Sequence, residues 1–127
     1  MESRFMDNEL LIDRIDSVLE HIRLVLNDTN GLAINDIKES SLLLRATCFS
    51  ISQIGETMNK IEKELAGKYD NLPWVGARRM RNIIVHDYDK IDIEQVYSVV
   101  QNDLPALESA FLEIKEDLIH SEQNHKK

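Results

Sequence analysis

Near the N-terminus, Leu11, Ile15, Val18, Ile22 and Val25 recur at alternating steps of four and three. That period lays one apolar stripe along an α-helix and cannot stay on one face of a strand. Ile12, Leu19 and Leu26 draw a second stripe beside it. A face that wide suits a helix, roughly Met6 to Asn27, packed on more than one neighbour. Only four glycines and two prolines interrupt 127 residues. So few breakers leave little room for the tight turns of a β-sandwich and favour long helices.

The rest of the chain reads the same way. Asn27-Asp28-Thr29-Asn30-Gly31 supplies polar turn-formers and a glycine to end the first helix. A second helix is expected from Asn35 or Asp36 to Leu65, with Leu43, Ala46, Thr47, Ser50, Ile54, Thr57, Met58 and Ile61 inward. Ala46, Ser50, Ser52 and Gly55 are small enough to admit another helix closely, and Gly67 is a stop. Lys68 to Leu72 reads as a loop. Asn71 is a cap for a third helix with Pro73 in its first turn, running from Trp74 through His86 to end near Asp87 or Tyr88. Asp92 and Gln95 form a capping-box pattern before Val96, Val99 and Val100. Pro105 either kinks this fourth helix or starts a fifth capped by Asp103. Leu107, Phe111, Ile114 and Leu118 share a final stripe, and residues beyond Ser121 form a polar, frayed tail. No period-two strand, repeat or linker stands out. The expectation is one all-α domain over residues 1–127, a four- to five-helix antiparallel up-and-down bundle.

Composition limits the function. The formal net charge is −8, which argues against a general nucleic-acid binder, because such binding rests on neutralising phosphates. The charge is uneven, however. Between Lys68 and Lys90 five basic residues face three acids, a net +2 that leaves −10 elsewhere. An anion site therefore belongs in this segment. Cys48 is the single cysteine, which excludes an intrachain disulfide and fits a reducing compartment. It reads as a core residue inside the second helix. No apolar h-region opens the chain and no apolar run is long enough to span a bilayer, so a cytoplasmic location is expected. His21, His120 and His125 have no metal-ligand spacing. No glycine-rich phosphate loop or serine-nucleophile context is present, and no cofactor or metal is expected.

The candidate chemistry centres on His86. On a continuous helix Asn82 and His86 share a face at i and i+4, so Asn82 can orient the imidazole. Arg81 lies about 140° away and converges on His86 only if the helix loosens near Val85 or the two reach across a pocket. Histidine titrates near neutral pH and suits general acid–base work. Arg81 can clamp a phosphate by charge-assisted contacts, while Arg78 and Arg79 are further cations of the same helix. Arg45 and Glu56, eleven residues apart, share a helix face within about 20°. Both read as supporting residues, with Glu56 placed to pair with Arg81 or Arg78. The bland alternatives are a capping histidine, solvated arginines and a surface salt bridge.

Arg81-Asn82-Ile83-Ile84-Val85-His86-Asp87-Tyr88 resembles the Arg-x4-His-x-Tyr motif of the HepT-like HEPN family. Arg45-Ala46 followed by Ile54-Gly55-Glu56, then Leu72-Pro73-Trp74, and later Asn102-Asp103-Leu104-Pro105-Ala106-Leu107, extend the likeness over roughly residues 5 to 120. The resemblance implies a homodimeric, metal-independent endoribonuclease toxin of a type VII-like toxin–antitoxin pair. His86 would act as base or acid, Arg81 would stabilise charge on the phosphate, and Arg78 and Arg79 would contact the RNA backbone. It also implies a MntA-like minimal nucleotidyltransferase antitoxin that transfers AMP to Tyr88. The alternative is a non-catalytic helical subunit that binds nucleotide or docks on a nucleotidyltransferase. A purely structural dimerisation module fits the polar constellation least.

Overall fold

The computed structural model describes residues 7–70, 72–83 and 90–125, the last four by backbone alone. These residues form an all-α bundle: α1 (Asn8–Thr29), α2 (Ile34–Glu39), α3 (Ser41–Leu65), α4 (Trp74–Asn82), α5 (Ile93–Ser98), a π-helical turn (Val99–Asp103) and α6 (Leu104–His125). Among the described residues there is no strand.

The first stripe is the core face of α1. Leu11, Ile15, Val18, Ile22 and Val25 are all buried, and Ile12, Leu19 and Leu26 pack partly buried beside them. The Asp7 carboxylate caps the helix by accepting from the Leu10 amide at 2.8 Å, which satisfies a donor that has no helical partner. Thr29 extends the helix two residues beyond the expected end. It is buried, and its hydroxyl donates to the Val25 carbonyl at 2.7 Å. Gly31 then turns the chain with φ of 76°, a region open to glycine at no steric cost.

The expected second helix is two. Ser40 leaves helical geometry (φ −101°, ψ 102°) and its hydroxyl accepts from the Leu43 amide at 3.2 Å. A serine hydroxyl competes with the helical ladder in this way, which favours a cap over a helix interior. Asp36 meanwhile accepts from the Ala33 amide at 2.8 Å and fixes the start of α2. Along α3, Thr47, Ser50, Ile54, Thr57, Met58 and Ile61 are buried as expected, but Ala46 is exposed. Of its neighbours one turn away, Leu42 and Phe49 are exposed as well.

The third helix is shorter than its sequence suggests. Pro73 occupies the N-cap position rather than the first turn, and Asn71 lies outside the described residues. α4 ends at Asn82, where Ile83 turns extended (φ −80°, ψ 94°) and buries its side chain in the core. Ile83-Ile84-Val85 is a β-branched run, which disfavours helix through lost rotamer freedom. His86, Asp87 and Tyr88 lie outside the described residues.

Pro105 neither breaks the rod nor starts a capped helix. The turn ahead of it widens instead, and the Leu104 amide donates to the Val99 carbonyl five residues back. A proline ring collides with the carbonyl four residues before it, and a π turn moves that carbonyl aside. Asp92 caps the start of this rod, accepting from the amides of Glu94 and Gln95 at 3.1 and 3.2 Å. The backbone stays helical to His125 rather than fraying at Ser121. Leu104, Leu107, Phe111, Ile114 and Leu118 face the core from α6.

α3 and α4 meet at Gly55. A Cβ there would stand 2.5 Å from the Arg81 amide nitrogen and 2.9 Å from the Met80 carbonyl carbon. Both are backbone atoms that cannot swing away. Gly55→Ala gains about 1 kcal/mol of helix propensity but overpacks this contact, which costs about 1–3 kcal/mol or more. The expected result is net destabilisation, seen as a lowered thermal midpoint with helix content retained. A raised midpoint would show that α4 can stand off from α3.

Candidate functional site

The contact at Gly55 brings the basic end of α4 onto the polar edge of α3. The Arg81 guanidinium donates from Nε to Glu56 at 3.5 Å and from Nη1 to the Asn59 side-chain oxygen at 3.4 Å. One turn back, Arg78 donates to Glu62 at 3.1 Å. The partners' numbers fall on α3 as those on α4 rise, so the two helices run antiparallel here. Arg79 and Asn82 are exposed on α4. The result is a shelf of three arginines, two of them fixed by side chains of α3.

Of the residues singled out from the sequence, the structure gathers Arg78, Arg79, Arg81, Asn82 and Glu56 on this shelf. Asn82 is the last residue of α4, so the unbroken helix expected from Asn82 to His86 stops short, and His86 itself lies outside the described residues. Arg45 is exposed on α3 about 16 Å along the axis from Glu56, at 1.5 Å per residue. Asn59 and Glu62 were missed. Their signal was the run Glu56-x2-Asn59-x2-Glu62: steps of three drift about 60° around a helix each time, and follow an antiparallel neighbour.

The shelf is wet. The Arg81 and Glu56 side chains are 42% and 50% exposed, and both hydrogen bonds from Arg81 are long for N–H···O contacts. Water therefore screens the pair, and its main effect is to orient the guanidinium. The planar fork still presents donors to an incoming oxyanion. Cys48 offers no nucleophile nearby: it is fully buried, and burial pushes its thiol up to about 11. Among the described residues no three histidine, cysteine, aspartate or glutamate side chains cluster to hold a metal ion, and no helix is long and apolar enough to cross a membrane.

Comparison with known proteins identifies the family. The profile of a family described as ribonuclease HepT-like matches residues 12–114. A protein of Methanocaldococcus jannaschii named "Gamma-glutamylcyclotransferase and putative RNase" is 30% identical over 87% of this chain, and the match spans 50% of that relative's length. A second protein of that archaeon, named "Putative RNase", is 25% identical over 84% of this chain and 88% of its own. The "Probable ribonuclease HepT" of Thermococcus cleftensis is 23% identical over 81% of this chain and 94% of its own. No solved structure matches.

A double-mutant cycle with Glu56→Gln and Arg81→Gln, read by thermal or urea unfolding, should give a coupling of about 0.2–1 kcal/mol. A coupling of several kcal/mol would mean that the pair holds the fold rather than the orientation of the guanidinium.

Proposed function

We propose, from the premise that this chain belongs to the HepT-like ribonuclease family, that it is a metal-independent endoribonuclease built around Arg81 and His86. The observation that carries the reading is the oriented Arg81 guanidinium on an exposed shelf, five residues ahead of His86 in sequence. In the proposed reaction one His86 takes the proton from the RNA 2′-hydroxyl, and the 2′-oxygen attacks phosphorus. The bond to the 5′-oxygen breaks, and a second His86, from a partner copy, protonates that oxygen. Arg81 stabilises the charge that develops on the phosphate oxygens. Arg78 and Arg79 hold the backbone on either side. The products are a 2′,3′-cyclic phosphate and a 5′-hydroxyl.

The same reading makes the chain a homodimeric, cytoplasmic toxin of a type VII-like toxin–antitoxin pair. A MntA-like nucleotidyltransferase antitoxin silences it by transferring AMP to Tyr88. An anionic adduct there repels RNA and blocks the site. Glu56, with Asn59, positions Arg81 without contacting RNA.

Purified, partner-free chain is incubated with total RNA in EDTA, beside Arg81→Ala and His86→Ala, with mass spectrometry to establish that Tyr88 is unmodified. Wild type should cut and leave cyclic-phosphate ends, and each variant should lose about 10²–10³-fold in rate, as for loss of one charge-stabilising donor. Cleavage unchanged in both variants sinks the assignment of these residues. A folded, unmodified wild type that cuts nothing favours the non-catalytic docking subunit.

A further inference from the structure

Two of the three shelf arginines are tied to α3, and the third, Arg79, lies on another side of the helix. At 100° per residue Arg79 is about 160° around α4 from Arg81. The exposed arc between them carries Arg78, Asn82 and Val75, the last 69% exposed. The opposite arc carries the buried Gly76, Ala77 and Met80. Arg81 thus stands on the shoulder of α4 that meets α3, and Arg79 on the other shoulder.

The residue that reaches this second shoulder is Asp103. It ends the π-helical turn. It precedes Leu107 and Phe111 by four and eight residues, which sets it on the inward side of that rod, half-buried. A carboxylate there gives up water and needs a compensating partner. Gly76 leaves the opening. A Cβ on Gly76 would stand 3.5 Å from Oδ2 of Asp103 and 3.8 Å from Nη2 of Arg79. The two charged groups therefore flank the space that a side chain of residue 76 would fill. They are no more than about 7 Å apart, a range at which opposite charges near a protein surface still attract. Arg79 reaches this space by folding back toward the start of α4, the direction in which helical side chains lean.

We propose that Asp103 is a positioning residue. Through the opening at Gly76 it holds the Arg79 guanidinium on the shoulder of α4 away from α3, where Arg79 takes a phosphate of the RNA other than the one that reacts. The proposal rests on the nuclease reading for the identity of the anion. α4 itself, about 10 Å across, stands between the Arg79 and Arg81 guanidinium groups, so they hold different phosphates. The strand then crosses the outer face of α4, from Arg81 over Arg78 and Asn82 to Arg79. Each arginine has an acid of its own. Glu56 and Glu62 of α3 serve Arg81 and Arg78, and Asp103 serves Arg79 from the rod that carries Pro105.

The test is Asp103→Asn, measured on cleavage of a short RNA oligonucleotide. Removing an acid from beside a phosphate site lessens repulsion, so charge alone predicts tighter binding of RNA. Positioning predicts the reverse. KM should rise about three- to tenfold, the effect of freeing one long side chain, with kcat within about twofold of wild type. Arg79→Gln should raise KM at least as much, and adding Asp103→Asn to it should change nothing further. Asp103→Glu, which keeps the charge, should restore most of the wild-type KM. The pairing is also read without RNA, by NMR relaxation of the Arg79 Nε–H group. Its motion should increase in Asp103→Asn while the motions of Arg78 and Arg81 do not. Circular dichroism should show native helix content in every variant. An unchanged or lowered KM in Asp103→Asn, a further loss in the double variant, or an Arg79 whose motion is unaffected each overturns the proposal. If wild type cuts no RNA, the nuclease reading falls alone. Fluorescence anisotropy of the same oligonucleotide then gives a Kd in place of KM, the same outcomes decide, and a wild type that binds no RNA overturns the proposal as well.

Discussion

At Gly55 the backbone of Met80 and Arg81 presses on α3 at a distance that leaves no space for a side chain. Much else follows from that contact. It sets the angle at which α4 meets α3, and with it the reach from Arg81 to Glu56 and Asn59 and from Arg78 to Glu62. It places Ile83 where its side chain enters the core as the backbone leaves the helix. The chain that carries the Arg-x4-His segment therefore departs from a fixed point on the bundle. A glycine costs helix stability by its flexibility, and here the cost is offset by the close packing of two helices.

The helical period was legible because burial enforces it. Every residue of the first α1 stripe is in the core, and so are Leu107, Phe111, Ile114 and Leu118 of α6. Gly55 could be read as a close approach because its lack of a side chain has few other uses in a helix. What resisted reading was the punctuation. Ser40 looks like one more polar residue until its hydroxyl is seen taking the Leu43 amide. Pro105 looks like a break, yet a local widening of the ladder absorbs it. Both are choices between nearly equal local conformations, and tertiary packing decides them.

Much of the candidate site was legible for the same reason. Glu56 and the arginines lie on opposite sides of the α3–α4 seam, so any antiparallel packing of those helices brings opposite charges together. Asn59 escaped notice because its partner depends on how far α4 slides along α3, which sequence periodicity does not fix. The expected unbroken helix from Asn82 to His86 failed on another ground. It assumed a helix continuing through three β-branched residues, and α4 stops before the first of them.

Electrostatics explains why such a site suits an acidic chain. An excess of −10 outside the Lys68–Lys90 segment repels polyanions at long range, but salt screens that field within about 8–10 Å. At the shelf itself the donors of Arg78 and Arg81 are close, oriented and only partly occupied. Glu56 and Glu62 weaken their attraction for phosphate, yet they remove the entropy of placing two long side chains, a cost otherwise met at each binding event. An anion that approaches in line with the guanidinium plane gains paired hydrogen bonds, while one that drifts past gains almost nothing. Binding on these terms depends on fit at a few phosphates more than on bulk charge.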